Sequence, residues 1–164
     1  MAVPGVPVLA LLVTFFLSTG ATAGATAGEA AGLLTVRDAW VRATVEGQTG
    51  SGAFMQLTSR EDARLIGASS RAAQRVEIHE MRMVNDMMTM RRIESLPLPA
   101  GTTVALDHDY HIMLIGLSKQ LQPGQIVTLT LQVLDARGMR HAVDVVAPVR
   151  ALNAAPGRSS PKHD

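Results

Sequence analysis

Along most of this chain apolar and polar residues alternate with a period of two, the spacing that turns one face of a β-strand to a core and the other to water. The clearest run is Ile126–Leu134, where VTLTLQV keeps a β-branched or leucine side chain at alternate positions. Arg140–Val149 follows after a polar turn at Asp135–Gly138. Leu33–Val45, Gly52–Thr58, Arg64–Ser69, Val76–Met81, Thr103–Asp107 and Tyr110–Leu117 read as further strands. Val36, Ala39, Trp40 and Val41 fall out of alternation, which predicts a bulge or two short strands. Ser59–Asp62, Asp107-His108-Asp109 and Leu121–Gly124 are turns, and Ser70–Arg75 is a loop or one helical turn. Leu96-Pro-Leu-Pro-Ala-Gly101 is expected to be a loop, since two prolines remove ladder donors. About seven to nine short strands with regular turns, no long helical period and no internal repeat predict an antiparallel β-sandwich or barrel.

Composition divides the chain into three parts. The first 27 residues carry no charged side chain, and Val8–Leu17 is a ten-residue apolar run, too short to span a bilayer. Ala21-Thr22-Ala23 and Ala25-Thr26-Ala27 follow as cleavage sites, so residues 1–27 are expected to be a secretory signal peptide, with no stable membrane insertion once it is removed. Residues 28–150 then form one domain, and the Ala/Pro/Gly/Ser-rich residues 151–164 a disordered tail. A net charge of +1 with no basic stripe argues against nucleic acid as a partner. With aromatics at 3%, the core has to be built from Val, Leu, Ile and Ala. Trp40 is most simply a core residue, and Asp38, Arg42 and Glu46 a solvated strand face. The chain has no cysteine, which excludes disulfides, a lipobox, thiolate metal sites and a blue-copper centre.

The chemistry gathers in Val76–Gly116. Of nine methionines, Met81, Met83, Met87, Met88 and Met90 fall within ten residues, flanked by His79, His108 and His111, with Met113 two positions after His111. Thioether sulfur beside imidazole is the donor set of a soft ion, above all Cu(I). Zinc favours Cys or His with carboxylate, and calcium an oxygen cage. On strands, His111 and Met113 project from one face while Ile112 and Leu114 enter the core. His79, Met81 and Met83 share a face, as do Met88 and Met90. Val84-Asn85-Asp86 is the turn between these arms, and a loop of two or four residues would put His79 and Met90 on one face, opposite or diagonal.

The order His79, Met90, then His111-x-Met113, with HEM-R-M, MxMR, LPAGTTVAL and YHIMLIGL around it, resembles the PCu(A)C family of periplasmic copper(I) chaperones. DAWVRAT and GAFMQL upstream extend the likeness over about residues 33–135. Twenty residues separate Met90 from His111, one fewer than the family pattern leads us to expect, a difference falling in the Pro/Gly loop. The resemblance implies a cupredoxin-like Greek-key sandwich, a periplasmic location and a Cu(I) site of His79, Met90, His111 and Met113. Met81 and Met88 are auxiliary candidates, or a hydrophobic rim. It further implies delivery of Cu(I) to the Cu(A) subunit of cytochrome c oxidase, alongside a thioredoxin-like assembly protein.

No nucleophile motif, phosphate loop or paired carboxylates point to an enzyme. Two other readings fit the same residues: a periplasmic copper sequestration or tolerance protein, and an exported interaction sandwich that binds no metal. His108 is expected in solvent, and His141 and His163 apart from the site.

Overall fold

The alternation is realised most plainly at the C-terminal end of the domain. In the computed structural model, which describes residues 32–153, strand β9 (Ile126–Leu134) pairs antiparallel with β10 (Arg140–Arg150) in unbroken register from Leu134↔Arg140 to Ile126↔Pro148. Val127, Leu129, Leu131 and Val133 point inward, as do Val143, Val145, Ala147 and Val149, and all are buried. The remaining strands are β1 (Leu34–Arg42), β2 (Gly50–Ser59), β3 (Ala63–Ser69), β4 (Ala73–Val84), β5 (Met87–Ile93), β6 (Leu96–Leu98), β7 (Thr103–Leu106) and β8 (Tyr110–Leu117).

The strands neighbour one another in the order β5-β4-β8-β2-β1-β10-β9-β3-β6, with β7 beside the far half of β2. One link between strands is parallel and short, Val41↔Val149 and Arg42↔Arg150 between β1 and β10; every other strand pairing is antiparallel, and an isolated parallel bridge joins Ser59 to Ala100. Both halves of this path feed one interior cluster: Leu57, Ile78, Ile112 and Leu114 from one, Leu65, Leu129, Leu131 and Val133 from the other. This is the expected β-sandwich, with a single parallel pair added. Among the described residues no helix is long and apolar enough to cross a membrane.

The bulge in β1 is present: register slips between Arg37 and Trp40, and Asp38 takes a positive φ of 51°. Its consequence is that Val41 joins the core opposite Ala53, while Trp40 pairs with Phe54 on the other face. Trp40 is buried, as expected of a core residue, and packs on Phe54 beside the interior cluster. The proline-rich loop is corrected, because Leu96–Leu98 is a strand that pairs with β3. It lies at the end of the strand order, where backbone groups on one side need no partner, so Pro97 is tolerated while Leu96 and Leu98 are buried. The expected Pro/Gly loop between Met90 and His111 thus begins as strand β6, ahead of the expected strand β7. Ala73–Arg75 is likewise strand, extended by pairing with Leu117 and Ile115 of β8. Residues 1–27 and most of the 151–164 tail lie outside the described residues.

Candidate metal centre

Two central strands and an edge hairpin carry the site. Asn85 and Asp86 both have positive φ, 49° and 62°, as a type I′ turn requires, and Val84↔Met87 closes a two-residue loop. That loop fixes the register: Met83↔Met88, Met81↔Met90 and His79↔Arg92 across β4 and β5. On the other side of β4, His79 faces His111 and Glu77 faces Met113. His79, His111, Met113 and Met90 therefore share one face of the sheet, with Met90 diagonal to His79. The opposite face carries Ile78, Ile112 and Leu114, all nearly inaccessible.

The two imidazoles are close, with ring centroids 5.8 Å apart and planes at 61°. Bonds of about 2 Å from two nitrogens to one ion ask for nitrogens within about 4 Å, which this separation allows. His79 is mostly buried, and its Nε2 lies 2.9 Å from Glu77 Oε2. A carboxylate there selects the proton on Nε2, which leaves the lone pair on Nδ1. Nδ1 is buried and has no hydrogen-bond partner among the described residues. A carboxylate holding one nitrogen of an imidazole whose other nitrogen stays available is the arrangement metal-ligating histidines use. The contact also holds the Glu77 carboxyl below its ordinary pKa, chiefly through the His79 hydrogen bond and then through Arg92 and Arg75.

His111 is 8% exposed, and burial lowers its pKa, with the charges of His79 and Arg42 acting in the same direction. A neutral ring can donate to a metal; a protonated one cannot. Behind it stands an aromatic tier: Phe54 stacks toward His111 at 6.3 Å and on Trp40 at 4.5 Å. Gly52 makes room for this, since a Cβ there would meet the Phe54 ring at 2.9 Å. Arg42 lies over Phe54 and Arg150 over Trp40, at 5.2 and 5.3 Å from the ring centroids.

A cleft of about 370 Å³ opens on this face, lined by Arg42, Phe54, Met81, Met90, His111 and Met113 among others. His79 sits beside the cleft, next to His111. Met90 is 48% exposed at the cleft. Met81 lines the cleft, while Met88 lies farther out, opposite Met83. His108 lines the cleft edge but stands largely in solvent, and His141 is buried against Asp135 on β9–β10. His163 lies outside the described residues. Among the described residues no group of three or more His, Cys, Asp or Glu is placed to hold a metal.

Three residues escaped the sequence reading. Glu77 carried a usable signal, because it sits two positions before His79 on the same strand face. Arg42 had been placed on a solvated face, and the β1 bulge hid its true side; its Nε is buried without a partner among the described residues. Phe54 was placed on a strand but could not be placed beside His111 without the β2–β8 register.

Fold and face together define a β-sandwich presenting soft donors at one edge. The chain belongs to the LpqE-like family, described as “Putative lipoprotein LpqE-like”, whose model matches residues 34–147. It is 36% identical over 112 residues to “Putative lipoprotein Lxx21020” of Leifsonia xyli subsp. xyli (strain CTCB07), covering 67% of this chain and 68% of that one. The copper-bound PCuAC domain from PmoF2 shares its fold, with a TM-score of 0.58 at 24% identity over 73% of this chain and 94% of that one. The solution structure of CuI-DR1885 from Deinococcus radiodurans matches with a TM-score of 0.55 at 28% identity, over 72% of this chain and 78% of that one.

Proposed function

We propose that this protein is an exported carrier of Cu(I), not an enzyme, which holds the ion between His79, Met90, His111 and Met113. The observation that carries the reading is the register that brings two imidazoles and two thioethers to one face around a cleft. Two neutral imidazoles and two thioethers supply no net charge, which suits a soft monovalent ion and leaves a divalent one poorly compensated. The Arg42 guanidinium beside His111 adds to that bias. Support also comes from the solved relatives, of which one PCuAC domain is named as copper-bound and DR1885 as its CuI form. Export agrees with the lipoprotein names of the family and relative, although these 164 residues contain no cysteine to accept a lipid.

The ion is cargo here. Glu77 orients His79, burial disfavours the protonated form of His111, and Met90, on the exposed hairpin, opens and closes the cleft. Release then needs ligand exchange alone, with no redox step. We take the recipient to be the Cu(A) subunit of cytochrome c oxidase, with a thioredoxin-like assembly protein as the second partner and the periplasm as the compartment. Titration of the purified protein with Cu(I), followed by X-ray absorption, tests the site. One equivalent bound through mixed nitrogen and sulfur neighbours is expected, with strong preference over Zn(II). A shell of nitrogen and oxygen alone would remove the methionines and end the proposal. A deletion strain that assembles Cu(A) normally yet becomes copper-sensitive would instead favour sequestration.

A further inference from the structure

The β4–β5 hairpin carries more thioethers than one ion can use, and their placement is regular. Met81 N donates to the carbonyl of Asp109, just before β8, at 2.7 Å, so the backbone groups of Met81 point away from β5. Met81↔Met90 is therefore a non-hydrogen-bonded pair of the β4–β5 ladder, and Met83↔Met88, two residues on, is another. The two-residue turn demands the same phase, because Val84↔Met87 closes it as a hydrogen-bonded pair. At non-hydrogen-bonded positions Cα atoms sit about 4.5 Å apart and side chains lie closest. Two close methionine pairs thus stand on one face, one above the other, separated by about 7 Å along the strands.

This face is otherwise without charge from Met81 and Met90 to the turn. The charges flanking the two methionine pairs lie on the other side, where Glu80 holds Arg82 and Arg91 at 2.9 and 3.0 Å, while Glu77 and Arg92 share the methionine face only farther from the turn, beside His79. Exposure rises outward, from half-buried Met81 through Met90 at 48% and Met88 at 57% to Met83 at 63%. A rim that merely kept water from the ion would serve as well with leucine. Thioethers add a lone pair that needs no deprotonation and matches Cu(I) or Ag(I).

We infer that Met83 and Met88 form a second, outer Cu(I) station, from which the ion passes to Met81 and Met90 and then to the imidazoles. This inference rests on the copper reading above. Each transfer exchanges one neutral donor for another, thioether for thioether and finally thioether for imidazole, at an ion that stays Cu(I), so no electron or proton moves. With two exposed donors the outer station binds more weakly than the inner site and exchanges faster.

The test uses protein carrying ¹³C-labelled methionine ε-methyl groups, titrated with tetrakis(acetonitrile)copper(I) under argon. The first equivalent is expected to shift the methyls of Met90 and Met113. The second should shift Met83 and Met88 in fast exchange. In the double variant Met83→Leu/Met88→Leu, which keeps the apolar surface, the second equivalent should be lost and the first bound within about twofold of normal. Transfer of the first ion to bicinchoninate should slow about tenfold. Met83 and Met88 methyls unmoved by the second equivalent, or a double variant that still takes it up, would overturn the outer station. Shifts at Met83 and Met88 without any at Met90 and Met113 would instead uphold it and refute the inner site.

Discussion

The molecule contains two histidine–carboxylate pairs with nearly the same local geometry and different surroundings. His79 Nε2 meets Glu77 and His141 Nε2 meets Asp135, both at 2.9 Å, and in both rings Nδ1 is buried without a partner among the described residues. Around His141, Asp135 is occupied as a clamp: its Oδ1 accepts the backbone N–H groups of Arg137 and Met139, both at 2.8 Å, which ties the β9–β10 turn together. Around His79 stand a second imidazole and thioethers. An idle ring nitrogen therefore does not identify a metal site. What separates the two pairs is which side chains the neighbouring strands bring to the same face.

The largest expected effect comes from exchanging the two histidines for alanine. His79→Ala should lower Cu(I) affinity by about a hundredfold or more, beyond the usual effect of losing only an outer-shell partner, with the melting temperature nearly unchanged. His141→Ala should lower the melting temperature and leave Cu(I) affinity within about twofold. Chelator competition and thermal melts on both variants decide the matter, and the reverse pattern would exchange the roles of the pairs.

Neighbouring residues on β8 sharpen the same contrast. Met113→Ala should reduce Cu(I) affinity by about tenfold or more with little change in stability. Leu114→Ala, fully buried on the opposite face, should cost about 2–5 kcal/mol of stability while the folded fraction still binds. If Met113→Ala unfolds the protein and Leu114→Ala abolishes binding in a stable fold, the site lies on the wrong side of the sheet.

Glu77→Gln should weaken Cu(I) binding about tenfold, as loss of an orienting carboxylate does, whereas Asp135→Asn should leave binding alone. Equal affinities for wild type and Glu77→Gln would reduce Glu77 to a surface ion pair.

The smallest effect is in acid stability without copper, where the two ends act in separate windows. Burial holds His111 below its ordinary 6.5, so between those values the unfolded chain binds the extra proton, and stability falls as pH drops below about 6.5. Asp135 is held at about 2, against 3.8 ordinarily, by the His141 hydrogen bond above all; its contribution is present above 3.8 and is lost as pH falls toward 2. Thermal melts against pH should lose the upper step in His111→Gln and the lower in Asp135→Asn. An upper step unchanged in His111→Gln would assign it elsewhere.

What could be read without coordinates was what period two controls. Ile112 and Leu114 inward with His111 and Met113 outward follows from alternation alone, and Asn85-Asp86 announces the turn that aligns Met90. What could not be read depends on registers between distant strands. Trp40 and Arg42 follow the bulge at Asp38, which resets the face in a way that no local pattern shows. Leu96–Leu98 was concealed because proline is costly in a central strand but not at an edge, and edge position is a property of the whole sheet. The parallel β1–β10 pair joins the two ends of the domain, the longest-range register of all.

The aromatic tier behind His111 also makes the protein its own optical instrument. Trp40 is the single tryptophan of the chain, and only the Phe54 ring stands between its indole and His111. The tryptophan emission of the molecule therefore originates one ring away from the cleft, in a buried setting. Loading of the proposed inner site is expected to change the intrinsic tryptophan fluorescence, without a label, and an ion confined to the hairpin tip should leave that signal largely unaltered.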